Sequence, residues 1–354
     1  TCNTCTSFPC VSGYEVAGDY IVTGTETWDN TTFQTSTIRM KGKLIIESGG
    51  QLTITGVTVE FLDKDWSNYD GGILVKPSGR LTINNATLSG ITQLDGVFYK
   101  SMWDGIIVEG VPSNPTLGPQ GIVTITNNSV ITHAKLGVQS VEGGRVFASN
   151  STFENNRIDI EFSNYSFVSN SSVSQCTLRT SLPLRDAEYH VFCRTNWFNT
   201  TDIATDFHVI LSSVKGITFN SNTFENTIDF TFGAQFPLVK YDYLYSDPDY
   251  SQARERGIGI LSFNSNCRVF GNTFNTLDVA ISARSSFCGA QNSIIIQDNT
   301  FTDNIEGIVL FGLDYAGITG NSFTVPAANN EKDPVGIFAI SSSALLIENN
   351  LFTK

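Results

Sequence analysis

Short apolar, β-prone runs recur along this chain, and clusters of Asn, Asp, Ser or Gly punctuate them. One phrase returns again and again: Asn128-Ser129-Val130, Asn222-Thr223-Phe224, Asn272-Thr273-Phe274, Asn299-Thr300-Phe301, Asn321-Ser322-Phe323 and Asn350-Leu351-Phe352, with a shifted copy at Asn150-Ser151-Thr152-Phe153. A run such as Ser293-Ile294-Ile295-Ile296 or Ala316-Gly317-Ile318 precedes most copies. A run such as Gly307-Ile308-Val309-Leu310 or Gly336-Ile337-Phe338-Ala339-Ile340 follows after a second polar cluster. Each period therefore reads strand, tight turn, strand, turn, strand.

Phe274, Phe301, Phe323 and Phe352 are 27, 22 and 29 residues apart, intervals that suit one three-strand coil of a parallel β-helix with connections of variable length. The predicted fold is all-β, a right-handed parallel β-helix. The Asn has a physical reason. A sharp corner needs a left-handed residue, which Asn tolerates better than any residue but Gly, and stacked Asn side chains can hydrogen-bond from coil to coil. The following Phe then points inward and stacks on the next Phe.

The N-terminal third uses different wording. Lys43-Leu44-Ile45-Ile46-Glu47-Ser48-Gly49-Gly50-Gln51-Leu52-Thr53-Ile54 is echoed 29 residues later by Gly72-Ile73-Leu74-Val75-Lys76-Pro77-Ser78-Gly79-Arg80-Leu81-Thr82-Ile83. Residues 1–40 fit the register poorly and read as a disulfide-pinned cap, with the β-helix over 41–354. The last phrase, Glu348-Asn349-Asn350-Leu351-Phe352, stops in mid-coil, which predicts that the natural protein continues past Lys354 or was cut there. An end left open in this way would allow end-to-end self-association into a fibre.

Composition agrees with an all-β chain: 40% hydrophobic, 16% charged, with 25 Phe and 30 Gly. The net charge of −13 repels a phosphate backbone, and no Lys/Arg cluster interrupts it, so nucleic acid is disfavoured as a partner. No apolar run approaches the ~20 residues of a membrane span. Seven Cys are present. Cys2, Cys5 and Cys10 lack a nearby fourth ligand for a tetrahedral metal site, and disulfides in an oxidising compartment are expected instead. Cys267 and Cys288 lie about one coil apart, and Cys176 and Cys193 would close the base of a loop.

Four insertions interrupt the step from the Phe strand to the Gly-Ile strand. They lie between Leu88 and Ile106, Leu178 and Val209, Phe224 and Ile258, and Phe323 and Ile337. All four leave the same turn and so should rise on one side of the stack, the side on which solenoids place binding surfaces. The third insertion carries Tyr241, Tyr243, Tyr245, Asp247, Asp249, Tyr250, Arg254 and Arg256. Those tyrosines either stack on sugar rings or cover a partner protein, with Asp and Arg binding hydroxyls, or they pack the loop onto the flank. Trp103 and Trp197 are further ligand candidates, each with loop anchoring as the alternative.

At Leu74-Val75-Lys76-Pro77-Ser78-Gly79 and Met102-Trp103-Asp104-Gly105-Ile106-Ile107-Val108 the chain resembles secreted right-handed β-helix proteins of Bacteroidota. Its Asn-Thr-Phe coils resemble the wider pectate-lyase-like superfamily. That resemblance implies export by the type IX route, an extracellular or cell-surface location and no assigned activity. The polygalacturonase signature of that superfamily (Asn-Thr-Asp, Asp-Asp, Gly-His-Gly, Arg-Ile-Lys) does not occur in this sequence.

Enzymes on such a fold hydrolyse glycosides with converging carboxylates, or eliminate with Lys/Arg beside a bound cation. The lyase candidates are Lys240, Arg254 and Arg256. Asp247 and Asp249 would be Ca²⁺ ligands only with oxygens from elsewhere, since calcium takes six to eight, roughly. No cofactor is expected. The sequence favours a non-catalytic scaffold or adhesin that binds a glycan or surface protein through its loop face. A polysaccharide lyase or glycoside hydrolase using the same face is the first alternative, and a fibre subunit the second.

Overall fold

The computed structural model describes residues 15–61, 71–90, 92–94, 98–100, 102–114, 116, 118–165, 167–182, 205–227, 256–286, 293–326 and 334–354. Three long parallel sheets of 12, 11 and 11 strands run its length. The first sheet begins at Val16–Ala17, the second at Tyr20–Val22 and the third at Thr25–Trp28; they end at Leu351–Thr353, Val335–Ile340 and Leu345–Glu348. The chain visits the three in turn, and each strand pairs in parallel with its equivalents one coil before and after. The predicted parallel β-helix is the fold observed. A small antiparallel pair, Thr92–Leu94 with Phe98–Lys100, stands apart from the three sheets.

The expected cap boundary differs from the structure. Val16–Ala17, Tyr20–Val22 and Thr25–Trp28 already form the first coil, paired with Met40–Lys41, Leu44–Ile46 and Gln51–Ile54. Coil formation needs only alternate buried side chains, and Val22 and Trp28 supply them. The sequence hid this coil because it carries neither the Asn-Thr-Phe phrase nor the Gly-Ile phrase. Residues 1–14, with Cys2, Cys5 and Cys10, lie outside the described residues.

The core is a continuous cluster inside the coil, from Val22 to Phe323. Phe224, Phe274, Phe301, Phe323 and Phe352 stack face to face, with centroids 4.7, 5.1, 4.5 and 4.7 Å apart and rings within 8° of parallel. Register puts one Phe above the next at the strand spacing. The Gly of the Gly-Ile phrase makes room for these rings. A Cβ on Gly307 would lie 3.0 Å from the Phe323 ring and 2.5 Å from the carbonyl oxygen of Gly336.

The Asn ladder forms as expected, through side chains at one buried corner. The Nδ2 of Asn222, Asn272, Asn299 and Asn321 donates to the Oδ1 of the next Asn at 2.9, 3.0, 3.0 and 2.9 Å, ending on Asn350. Each Oδ1 also accepts the backbone N–H of the preceding Asn. The left-handed residue, however, is the one before the ladder position: Ser221, Gly271, Asp298, Gly320 and Asn349, with φ of 55°, 65°, 54°, 69° and 55°. In Asn128-Ser129 and Asn150-Ser151 the Asn is left-handed itself, with φ of 61° and 46°, and the Ser takes the inward place. Turning the chain and satisfying the buried backbone are thus tasks of adjacent residues.

Cys176 occupies the rung before Asn222, and its backbone N–H donates to Asn222 Oδ1 at 2.9 Å. Both Cys176 and Cys267 are buried free thiols among the described residues. Burial pushes the Cys176 thiol up to about 11 and that of Cys267 to about 12. Cys193 and Cys288 lie outside the described residues.

Candidate functional site

The corner from the first sheet to the second is the candidate site, because long connections leave from it repeatedly. Thr87–Gly90 leads to Trp103–Glu109, Thr177–Thr180 to Phe207–Ser212, Thr223–Asn226 to Ile258–Phe263 and Ser322–Thr324 to Val335–Ile340. Elsewhere the same step is short, as from Thr300–Thr302 to Glu306–Phe311. The four insertions therefore share one corner, as the repeat phrasing predicts. A fifth long step, from Thr58–Phe61 to Gly72–Val75, leaves there too. It was not singled out from sequence, although the run Asp63-Lys64-Asp65-Trp66 interrupts the apolar pattern.

The described residues at this corner clamp the roots of the insertions. Thr205 Oγ1 donates to the Asn156 carbonyl at 2.8 Å, and its N–H donates to Thr180 Oγ1 at 3.3 Å. The N–H groups of Ser181 and Leu182 donate to Asn155 Oδ1 at 2.8 and 3.0 Å. Asn226 Nδ2 donates to the Arg256 carbonyl at 3.2 Å, and Arg256 N–H donates to Asp278 Oδ2 at 3.1 Å.

Ion pairs border the same corner: Asp104–Lys135 at 3.4 Å, Glu154–Arg179 at 2.9 Å, Arg157–Asp206 at 3.0 Å and Arg256–Asp303 at 3.9 Å. Burial of Glu154 favours its neutral form, yet the hydrogen bonds from Ser181 and Arg179 outweigh that and hold its carboxyl below the usual range. Deeper still, Asp159 and His208 meet inside the coil at 2.6 Å.

Beside the corner, part of the outer face of the second sheet is apolar. Ile258, Leu261 and Val279 form a buried cluster separate from the core, with Phe207 and Val309 packed against it. Further along the same face, Phe311, Phe338 and Ile340 are exposed.

Few of the expected ligand residues fall in the described part. Tyr241, Tyr243, Tyr245, Asp247, Asp249, Tyr250, Arg254 and Trp197 lie outside it, as does Lys240. Arg256 is described and is half-buried, tied to Asp278 and to both the side chain and the carbonyl of Asp303; it acts as a staple at the loop root. Trp103 is not a ligand platform. It is fully buried, stacked 4.5 Å from Phe61 at 8°, and its Nε1 donates to the Thr132 carbonyl at 2.9 Å. Among the described residues no three His, Cys, Asp or Glu side chains cluster as a metal site would require, and no helix is long and apolar enough to cross a membrane.

A family model described as "Right handed beta helix region" matches residues 71–236. No curated protein matches the chain significantly. Among solved structures, PfbA, a surface adhesin of Streptococcus pneumoniae, is similar with a TM-score of 0.43 and 11% identity, over 89% of this chain and 82% of that one. The catalytic domain of a GH87 alpha-1,3-glucanase in complex with tetrasaccharides gives a TM-score of 0.29 and 12% identity, over 96% of this chain and 68% of that one. Three continuous parallel sheets wound from one chain, together with the family match, make this protein a right-handed parallel β-helix.

Proposed function

We propose that this chain is a non-catalytic extracellular or cell-surface scaffold that binds a glycan or a surface protein through the corner between its first and second sheets. The observation that carries this reading is the departure of the longest connections, 181–206 and 227–257, from one corner, whereas the corner from the third sheet to the first is crossed in two or three residues after the first coil. A rigid stack with clamped roots limits the entropy lost when such loops close on a partner. The exposed Phe311, Phe338 and Ile340 on the adjoining sheet face support the same reading, because aromatic and aliphatic surface covers sugar rings or a protein anchor well. The net charge of −13 favours neutral or basic partners over anionic ones.

The test is a screen of glycans and polysaccharides that records binding and release of ultraviolet-absorbing unsaturated sugars in parallel. Binding without turnover, lost on combined Tyr241→Ala, Tyr243→Ala and Tyr245→Ala substitution, is the expected result. Release of unsaturated products would overturn the scaffold in favour of a lyase, with Lys240, Arg254 and Arg256 as the residues to mutate. A hydrolase would show as new reducing ends without that absorbance.

A further inference from the structure

One column of the second sheet holds a feature that the binding reading does not use. At one core-facing position of the column stand Gly137, Asp159, His208, Gly259, Ala280, Gly307 and Gly336 in successive coils, as the pairings of their neighbours fix. Most rungs therefore carry nothing larger than a methyl group, because the first-sheet rings need the space. Two adjacent rungs instead carry a carboxyl and an imidazole.

Asp159 Oδ2 and His208 Nδ1 are 2.6 Å apart, with side chains 0% and 1% exposed. Asn156 Nδ2 donates to Asp159 Oδ1 at 2.8 Å. The outer nitrogen of the imidazole, Nε2, is buried without a hydrogen-bond partner, and the ring lies 6.2 Å from that of Phe224. In so dry a setting the proton count of the pair matters. With one proton it is neutral overall, and the short contact is satisfied. Without a proton the pair leaves a net negative charge in the core, and with two a net positive one.

The elements packed around the pair offer little compensation. The first-sheet strands turn Phe153, Leu178 and Phe224 inward. Glu154 and Arg179 pair with each other on the outer side, and Glu225 continues that row. Glu161 lies on the outer face of the strand Ile158–Ser163, Lys135 pairs with Asp104, and Arg157 pairs with Asp206 across the turn.

We propose that Asp159 and His208 form a proton-holding latch that pins the strand Phe207–Ser212, on which the 183–204 connection lands. The direction of its response follows from Asp159. Burial raises its carboxyl above the ordinary range; hydrogen bonds from His208 and Asn156 and the charge of His208 oppose that rise, while Glu154 adds to it. A group raised in the folded state stabilises the fold while protonated, and that contribution is lost as pH climbs through the folded value. Rising pH therefore opens the latch and loosens the loop root. The consequence for ligand binding rests on the function proposed above, whereas the latch does not.

Amide hydrogen exchange on the whole chain, read by mass spectrometry from mildly acidic to alkaline pH, tests it without any ligand. After correction for intrinsic exchange, protection across 207–212 should fall by up to about tenfold per pH unit as pH approaches the folded-state titration and level off above it, relative to the strand 279–284. Asp159→Asn should abolish that fall. Protection at 207–212 that tracks 279–284 at every pH overturns the latch, as does an Asp159→Asn protein that keeps the fall. If Asp159→Asn does not fold, the imidazole resonances of wild type decide, with His208→Gln for assignment. A His208 ring that senses a proton leaving over the same range supports the latch, and one that stays unchanged overturns it.

Discussion

At the scale of single residues, the ladder corner concentrates the energetics. Asn299 hydrogen-bonds Asn272 and Asn321 and also donates to the carbonyls of Val269 and Gln297, each at 3.0 Å. Asn299→Ala strands buried carbonyls and N–H groups, and a loss of about 2–3 kcal/mol in denaturant unfolding is expected. Gly307→Ala tests the opposite fault, overpacking. Its methyl meets the Gly336 carbonyl and the Phe323 ring, so about 1–3 kcal/mol should be lost, and Gly259→Ala should behave alike. The two thiols give a third check. Peptide mapping after alkylation of the native protein should find Cys176 and Cys267 unmodified, and both should react once guanidinium unfolds the chain, because burial keeps them as neutral thiols in the fold. Trp103 shows where sequence reading stops at this scale. Its aromatic ring on the way out of an insertion could anchor a loop or serve a ligand, its exposure depending on whether it faced in or out, and register turned it inward onto Phe61.

At the scale of strands and turns, the tight Asn corner and the open corner divide structure from function. The Asn corner has no room for insertion, because its side chains satisfy backbone groups of neighbouring coils across a fixed spacing. The corner between the first and second sheets accepts long connections because its clamps, Asn155, Asn156, Thr205 and Asn226, hold the loop roots rather than the loops. Thr205→Val removes the hydroxyl donor to the Asn156 carbonyl at constant shape, at a cost of about 1 kcal/mol. Its effect should appear first as faster amide exchange at 205–212, ahead of any change in the neighbouring strands. This corner was legible in the sequence from interruptions of the repeat alone. The clamps were not, since they join residues of the same or neighbouring coils that share no phrase and are separated in the chain by the insertions.

For the whole molecule, stability is distributed as in other solenoids, by coil-to-coil contact. The strands Val335–Ile340, Leu345–Glu348 and Leu351–Thr353 carry exposed apolar side chains, among them Phe338, Ile347 and Phe352. Hydrogen exchange should accordingly be fastest there and slowest around Phe274 and Phe301, where rings are covered on both sides. What the sequence by itself determined was the class of fold, the pitch of the coil and the corner that carries the insertions, because all three follow from a local phrase repeated at one spacing. Only the tertiary structure decided which neighbour of each corner turns left-handed, that Val16 already begins the first coil, that Cys176 and Cys267 remain free, and that Asp159 meets His208. Those outcomes depend on which residues of different coils are stacked in register, and registration across insertions of unequal length is a property of the folded stack rather than of any stretch of chain.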